Sequence, residues 1–252
     1  MIFGTLVIPG VEKIQRVQTR TLSAKPLPGR EFQYLRDRGG LGAAFTVNGW
    51  IDGAQYPLQQ TKSAIANLAD GTARTLDFQY SDLAYLQSVL RYQSTPTWTD
   101  DTAASQGSAG SPFTSLAATT DYLYLGHHEI WNLLKVVLGA AGSCTGLAWQ
   151  YSQGSSLWNT LSVTDGTSNL SRNGNITFTP PSDWKPDTVN SVSNKFWLRV
   201  SASAVTIPAT IALLQINIVW NCLMSDPQFT GDISRPYDSE DYQLTFTQQV
   251  NP

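Results

Sequence analysis

Apolar and polar residues alternate along much of the chain, the pattern of β-strands that bury one face. The clearest example near the start is residues 44–51, where Phe45 and Val47 share one face. Residues 74–80 alternate in the same way, and residues 242–248 give a well-marked final strand. The outer parts of the chain are therefore predicted to be mostly β.

The period changes once, over residues 57–70, where apolar side chains recur at helical spacing. The stripe consists of Leu58, Ile65 and Leu68. Pro57 suits the first helical position, and Gly71 suits the position just after a helix. One short helix is therefore predicted, so this part is an α+β domain.

The middle of the chain carries many short alternating segments separated by turn dipeptides. The turn dipeptides are Gln153-Gly154, Asp165-Gly166, Asn173-Gly174 and Ser182-Asp183. Such punctuation is typical of an antiparallel β-sandwich. Residues 83–92 and 130–138 fit either a short helix or a strand. The predicted fold class is mainly β: an α+β N-terminal domain with one short helix, plus an inserted antiparallel β-sandwich.

Charge and composition suggest where the insertion lies. Residues 1–92 hold ten Lys/Arg against seven Asp/Glu, whereas residues 223–252 hold one Arg against five acids. Complementary charge is expected of two ends that form one body. Residues 93–112 are dense in Ser, Gly, Thr and Ala, as linkers and long loops are. We therefore predict one domain from 1–92 with 226–252, a linker at 93–112 and an inserted sandwich at 113–225.

The overall composition and charge argue against nucleic acid and membranes as partners. Charged residues make up 14 % of the chain, aromatic residues 11 %, and the formal net charge is −3. This gives no general attraction to nucleic acid or to an anionic membrane. The start lacks a secretory signal, and the apolar run 204–220 is broken by Pro208. We expect a soluble chain without nucleic-acid partners or membrane insertion.

The residues that usually carry chemistry are sparse. His127 and His128 are the two histidines, beside Glu129, and neighbouring strand residues point to opposite faces. No G-x-S-x-G motif occurs. Cys144 and Cys222 are either a single bridge or two buried free thiols. The chain is therefore predicted to be neither an enzyme nor dependent on a metal or cofactor.

Two oppositely charged stretches suggest an interface. The basic stretch comprises Arg16, Arg20, Arg30, Arg36 and Arg38, and the acidic stretch comprises Asp238, Glu240 and Asp241. A glycine-rich turn at residues 36–42 lacks the Gly-Lys-Ser/Thr ending of a phosphate loop. We interpret these charges as an assembly interface between copies.

Tryptophans in the insert have two interpretations. Four of them are Trp149, Trp158, Trp184 and Trp197. In the first interpretation, the ring faces lie near Asp, Asn and Gln and stack on sugars. In the second, the tryptophans fill the sandwich core or a partner interface, where aromatic residues are also common. Trp149 shares a strand face with Leu147 and Tyr151, which favours the core.

Several segments together resemble one known family. They are residues 40–80, with the glycine-rich turn, the strand, the helix and the next strand, and six short segments of the insert: 121–126, 149–151, 158–161, 165–167, 181–184 and 196–199. These segments are similar to the distal tail and baseplate proteins of tailed phages. The regions they mark cover about two thirds of the chain.

The resemblance implies a belt-like domain that closes rings, commonly hexamers, and a galectin-like sandwich that projects from it. The chain would then be a structural virion protein in the viral tail, made in the host cytoplasm. Its ring would join the tail tube to the baseplate or receptor-binding apparatus during host attachment. The alternative is a carbohydrate-binding or host-adhesion module of a tail or cell surface.

Overall fold

The computed structural model describes residues 1–26, 33–78, 83–94, 96–107, 112–230 and 239–248, with the side chains of 17–42 excepted. The first elements are β1 (Ile2–Phe3), β2 (Leu6–Val7), β3 (Val11–Pro26), β4 (Gln33–Asp52), α1 (Leu58–Ala66), β5 (Arg74–Asp77), β6 (Leu83–Tyr85), β7 (Ser88–Gln93), β8 (Thr97–Asp100) and α2 (Thr102–Ser105). The later ones are β9 (Phe113–Thr114), β10 (Tyr122–His127), β11 (Trp131–Ala140), β12 (Ser143–Ser152), β13 (Trp158–Thr160), β14 (Thr164–Asp165), β15 (Gly174–Thr177), β16 (Pro186–Val189), β17 (Val192–Ile207), β18 (Thr210–Met224), β19 (Gln228–Thr230) and β20 (Ser239–Gln248). The predicted mainly β fold, with antiparallel sheets, is confirmed.

The chain divides into two compact units, residues 1–79 with 220–252, and residues 80–219. The sequence-based boundaries at 92 and 226 differ from these. β7 pairs with β10, so residues 88–93 belong to the second unit. β18 crosses the boundary at residue 220, because its last residues Cys222–Met224 pair with β20.

The first unit is built around β20, which lies between β4 and the end of β18. Burial alternates residue by residue along residues 43–51 of β4, as the apolar pattern predicts. Phe45, Leu244 and Phe246 are buried, and the Phe246 ring meets the Phe3 ring edge-on at 4.9 Å. Both ends of the chain thus supply this core.

The β3–β4 ladder continues well beyond β20. β20 pairs with β4 along residues 44–52, whereas β3 accompanies β4 as far as the Pro26–Gln33 pair. Among the described residues, the ladder partner of residues 33–42 is β3 alone. Residues 19–26 and 33–42 therefore form a two-stranded ribbon, here named the hairpin extension.

Helix α1 is shorter than the predicted span of residues 57–70. Pro57 is the N-cap residue, with extended backbone, so the first helical residue is Leu58 rather than Pro57. Ile65 is the buried residue of the helix. After Asn67 the backbone bonds tighten to the i→i−3 type, from the Leu68 and Ala69 amides. The helix therefore ends at Ala66, and Asp70, beyond it, forms an ion pair with Arg74 at 2.7 Å.

The second unit is a sandwich of two antiparallel sheets. One sheet runs β14-β15-β11-β18, with β6 and β9 also on β18, and the other runs β13-β12-β17-β10-β7-β8, with β16 on β17. One apolar cluster joins side chains from both sheets; its members include Leu125, Trp131, Trp149, Leu198, Ile211 and Ile216. The two ambiguous segments are strands: residues 130–138 lie largely in β11, and residues 83–92 contain β6 and most of β7.

The segment predicted as a linker, residues 93–112, is instead largely structured. β8 pairs with β7, and α2 follows it directly. Asp101 is buried and accepts a hydrogen bond from Arg91 Nε at 3.1 Å, while the Asp100 carboxylate accepts one from the Thr102 amide at 2.9 Å. The Ser, Thr and Asp residues there serve turns and a helix start, which composition alone does not distinguish from a linker.

Two smaller expectations concern membranes and cysteines. No helix in the described residues is long and apolar enough to span a membrane. Cys144 and Cys222 are free thiols, and both are buried. Burial raises the pKa of the Cys144 thiol, which favours its protonated form.

We expect Tyr242→Phe to destabilise the first unit. The buried Tyr242 hydroxyl donates a hydrogen bond of 2.5 Å to the Pro9 carbonyl, and burial raises its pKa. Removing the donor leaves a buried acceptor unpaired, which costs roughly 1–3 kcal/mol of unfolding free energy. Urea denaturation measures the loss. Tyr56→Phe is the matched control, since Tyr56 is exposed, and equal midpoints for both variants would contradict the expectation.

Candidate functional site

The basic residues of the predicted assembly interface lie mainly on the hairpin. Arg16 and Arg20 are in β3, and Arg36 and Arg38 are in β4. Arg36 pairs with Ser23 across the ladder of the hairpin extension. The Arg16 guanidinium lies 4.3 Å from the centre of the Trp220 ring, a cation–π contact within the first unit.

Two of the predicted interface residues, Arg30 and Asp238, lie outside the described residues. Glu240 pairs with Lys62 on helix α1 at 2.7 Å, and the Lys62 ammonium also lies 5.2 Å from the Phe229 ring centre. Asp241 stands opposite Trp50 in the β20–β4 ladder. The described partner of Glu240 is thus a helix lysine of its own chain, which the charge pattern did not reveal.

A polar groove opens in the first unit beside these acidic residues. Its volume is about 340 Å³, and its lining residues include Glu12, Asn48, Gln228, Asp241 and Gln243. The side chains of Gln243 and Asn48 are hydrogen-bonded at 3.0 Å. The groove therefore offers carboxylate and amide groups, which suit a basic partner.

The histidine pair is part of the sandwich structure. His127 is buried, its Nδ1 accepts a hydrogen bond from the Glu129 amide at 3.0 Å, and its ring stacks on His128 at 4.5 Å. Burial, reinforced by the charge of His128, lowers the pKa of His127 to about 4. Within the described ranges, no three His, Cys, Asp or Glu residues are grouped as metal ligands.

The tryptophans separate into two groups. Trp149 and Trp184 belong to the sandwich core, as does Trp131, so the inward orientation predicted for Trp149 is confirmed. Trp197 and Trp158 belong instead to a separate cluster. Trp197 is fully buried, so a buried structural role is confirmed for it, whereas Trp158 is partly buried and packs against the same cluster.

That second cluster covers the outer face of the sheet that contains β10 and β17. It is named here the outer aromatic face, and its rings and cation are Tyr92, Trp98, Tyr122, Tyr124, Trp158, Trp197 and Arg199. Alternation explains its origin: Leu123 and Leu125 of β10 enter the core, so Tyr122 and Tyr124 point away from it.

The rings form a continuous series across the sheet. Successive ring centres are separated by 5.1 Å from Tyr92 to Trp98, 5.2 Å from Trp98 to Tyr124 and 5.6 Å from Tyr124 to Trp158. These separations lie in the range preferred by aromatic pairs. The series therefore reaches from β8 near one edge to β13 at the other.

Arg199 occupies the middle of the outer aromatic face. Its guanidinium lies 4.4 Å from the Trp158 ring centre and 4.9 Å from the Tyr122 ring centre. Its Nε donates to the Gln150 side-chain oxygen at 2.7 Å. Burial raises the pKa of Tyr124, and the neighbouring Arg199 opposes that shift. The cation is thus held in one orientation by stacking and hydrogen bonding.

Gly126 makes room for the most deeply buried ring of the face. A Cβ at Gly126 would lie 2.6 Å from Cζ3 of Trp197, which is its partner across the β10–β17 ladder. The Trp197 indole nitrogen donates to the Asp187 carbonyl at 3.1 Å. Trp197 is therefore a buried ring in a fixed orientation, and the more exposed rings pack in the same cluster.

No protein-family model matches the chain, and no curated protein matches it. The function is therefore argued from the residues and surfaces described above.

We expect His127 to make the protein less stable as the pH falls. The unfolded histidine, with a pKa of 6.5, binds a proton that the folded one, at about 4, does not, so stability is lost as pH falls through that window. From about pH 7 to about pH 5 the loss is about 2 kcal/mol.

Urea midpoints at both pH values, compared with those of His127→Asn, measure this loss. The asparagine oxygen can accept the Glu129 amide hydrogen bond but does not titrate, so its midpoint should fall less. A pH dependence equal to that of the unaltered protein would show that another group is responsible.

Proposed function

We propose that the chain is a structural protein of a tailed virus or phage, and that it forms a ring at the tail tip. The observation that carries the proposal is the hairpin extension, whose residues 33–42 find their ladder partner in β3 alone among the described residues. An isolated two-stranded ribbon is at best marginally stable in water and offers two strand edges for pairing. A surface on a neighbouring copy would stabilise the hairpin extension by covering it and pairing with its strand edges.

Charge supports the choice of a second copy as the neighbour. The hairpin sequence is rich in arginine, while Glu12 and Asp241 line the polar groove of the same unit. A contact between two different surfaces of identical chains closes into a ring when the rotation per copy fits. In such a ring, the hairpin extension of each copy would contact the polar groove of the next copy, and this contact would repeat around the ring axis.

The tail setting rests on the sequence resemblance, which implies a hexamer that joins the tail tube to the baseplate or receptor-binding apparatus. The two-unit organisation fits this setting, since one unit can form the ring while the other carries a separate surface. The virion tail would then be the final location, after synthesis in the host cytoplasm. Catalysis, a cofactor and nucleic-acid binding have no part in this proposal.

Native mass spectrometry of the full chain tests the proposal. We expect one closed oligomer, a hexamer, whose population falls as salt screens the charged contact. The double variant Arg20→Glu/Arg36→Glu should shift the population strongly toward monomer.

The control Arg172→Glu/Lys185→Glu makes the same charge change at exposed positions of the second unit and should leave the oligomer intact. Electron microscopy of the purified oligomer should show a ring with a central channel. A monomer at all protein concentrations and salt concentrations would contradict the proposal.

A further inference from the structure

We propose that the outer aromatic face is a carbohydrate-binding site, which takes a glycan chain laid across the sheet. This inference rests on the second unit alone and does not depend on ring formation. Its basis is the ring series from Tyr92 to Trp158 together with the fixed cation Arg199.

The chemistry of a pyranose matches this surface. One face of a sugar ring presents C–H groups of slightly positive charge, and the face of an aromatic ring is negative, so the two attract at close contact. Trp98 and Trp158 are only partly buried, and each supplies a large indole ring to such a contact.

Polar groups interleave with the rings where sugar hydroxyls would lie. Gln150 pairs with Arg199 on one side and with Thr160 on the other, so all three side chains share this face of the sheet. The amide, the hydroxyl and the guanidinium can donate to or accept from hydroxyl oxygens in directions that a rigid sheet fixes. Because Arg199 is already oriented, little side-chain freedom is lost on binding.

Other ligand classes fit this surface less well. Nucleic-acid strands need a track of cations beside stacking rings, and Arg199 is the cation in contact with these rings among the described side chains. Protein interfaces are also enriched in aromatic residues and Arg, so contact between copies is one outcome of the test below; the aliphatic members Leu90 and Val189, at 3 % and 7 % exposure, add little accessible apolar area to such a contact. The accessible groups are therefore the partly buried rings of Trp98 and Trp158 and the hydrogen-bonding side chains of Gln150 and Thr160, the combination that sugars require.

The test uses the fluorescently labelled full chain on an array of microbial polysaccharides and defined oligosaccharides. We expect retention by at least one saccharide. Titration with that saccharide should change the tryptophan fluorescence. Trp158→Ala and Arg199→Met should weaken its binding roughly tenfold or more, which corresponds to about 1.4 kcal/mol.

Two further variants separate binding from folding and from general surface effects. Trp158→Phe keeps an aromatic ring and should retain most of the affinity. Tyr85→Ala removes an exposed ring of the other sheet and should bind as the unaltered chain does. Equal thermal midpoints for Trp158→Ala and the unaltered chain show that the loss is not unfolding.

Three outcomes would overturn the proposal. The first is no retention by any saccharide on the array, and the second is equal binding by Trp158→Ala. The third is that Trp158→Ala and Arg199→Met change the oligomer mass and leave saccharide binding unaltered, which would assign this face to contact between copies.

Discussion

The pairing of β20 with β4 is the constraint on which the first unit depends. It joins Ser239 to Asp52 and continues to Thr247 opposite Ala44, so most of the chain lies between the paired residues. Pairing of this kind carries a large loop-closure cost, which the buried rings of Phe3, Phe45 and Phe246 help to offset. The same strand places Tyr242 against Pro9 and Glu240 against Lys62.

Each unit presents a different kind of surface. The first unit has a ribbon that needs support and a groove with carboxylate groups, which together suit self-association. The second has rigid rings and one oriented cation on the outer face of a sheet whose other face fills the sandwich core. The proposed ring and the proposed carbohydrate site thus rest on different residues of one chain and can be tested separately.

Sequence patterns predicted the strands, the helix and the sandwich because these depend on local periodicity. The alternation at residues 43–51 and the helical spacing of Leu58 and Ile65 are read directly from neighbouring residues. The linker prediction was wrong because turn residues within β8 and α2 have the composition of a loop. Helix α1 ends at Ala66, before the predicted Asp70, because the Leu68 and Ala69 amides bond to the carbonyls three residues back, a local tightening that side-chain periodicity does not include.

The outer aromatic face could not be predicted from the sequence, because it depends on strand order and cross-strand register. A period of two assigns side chains to two faces but does not say which face meets solvent. Tyr124, Trp98 and Trp158 come from three different strands, and their contact follows from the strand order. The space that Gly126 leaves for Trp197 likewise depends on the cross-strand register.

Hydrogen exchange on a chain truncated after Ser225 tests most directly the claim that both ends form one unit. We expect the amides of residues 44–52 that bond to β20 to lose their protection because those partners are gone; the Trp50 amide, which donates to the Gly10 carbonyl, is not one of them. The amides of β10 and β17, which pair within the second unit, should keep theirs. Protection at residues 44–52 equal to that of the full chain would contradict the account.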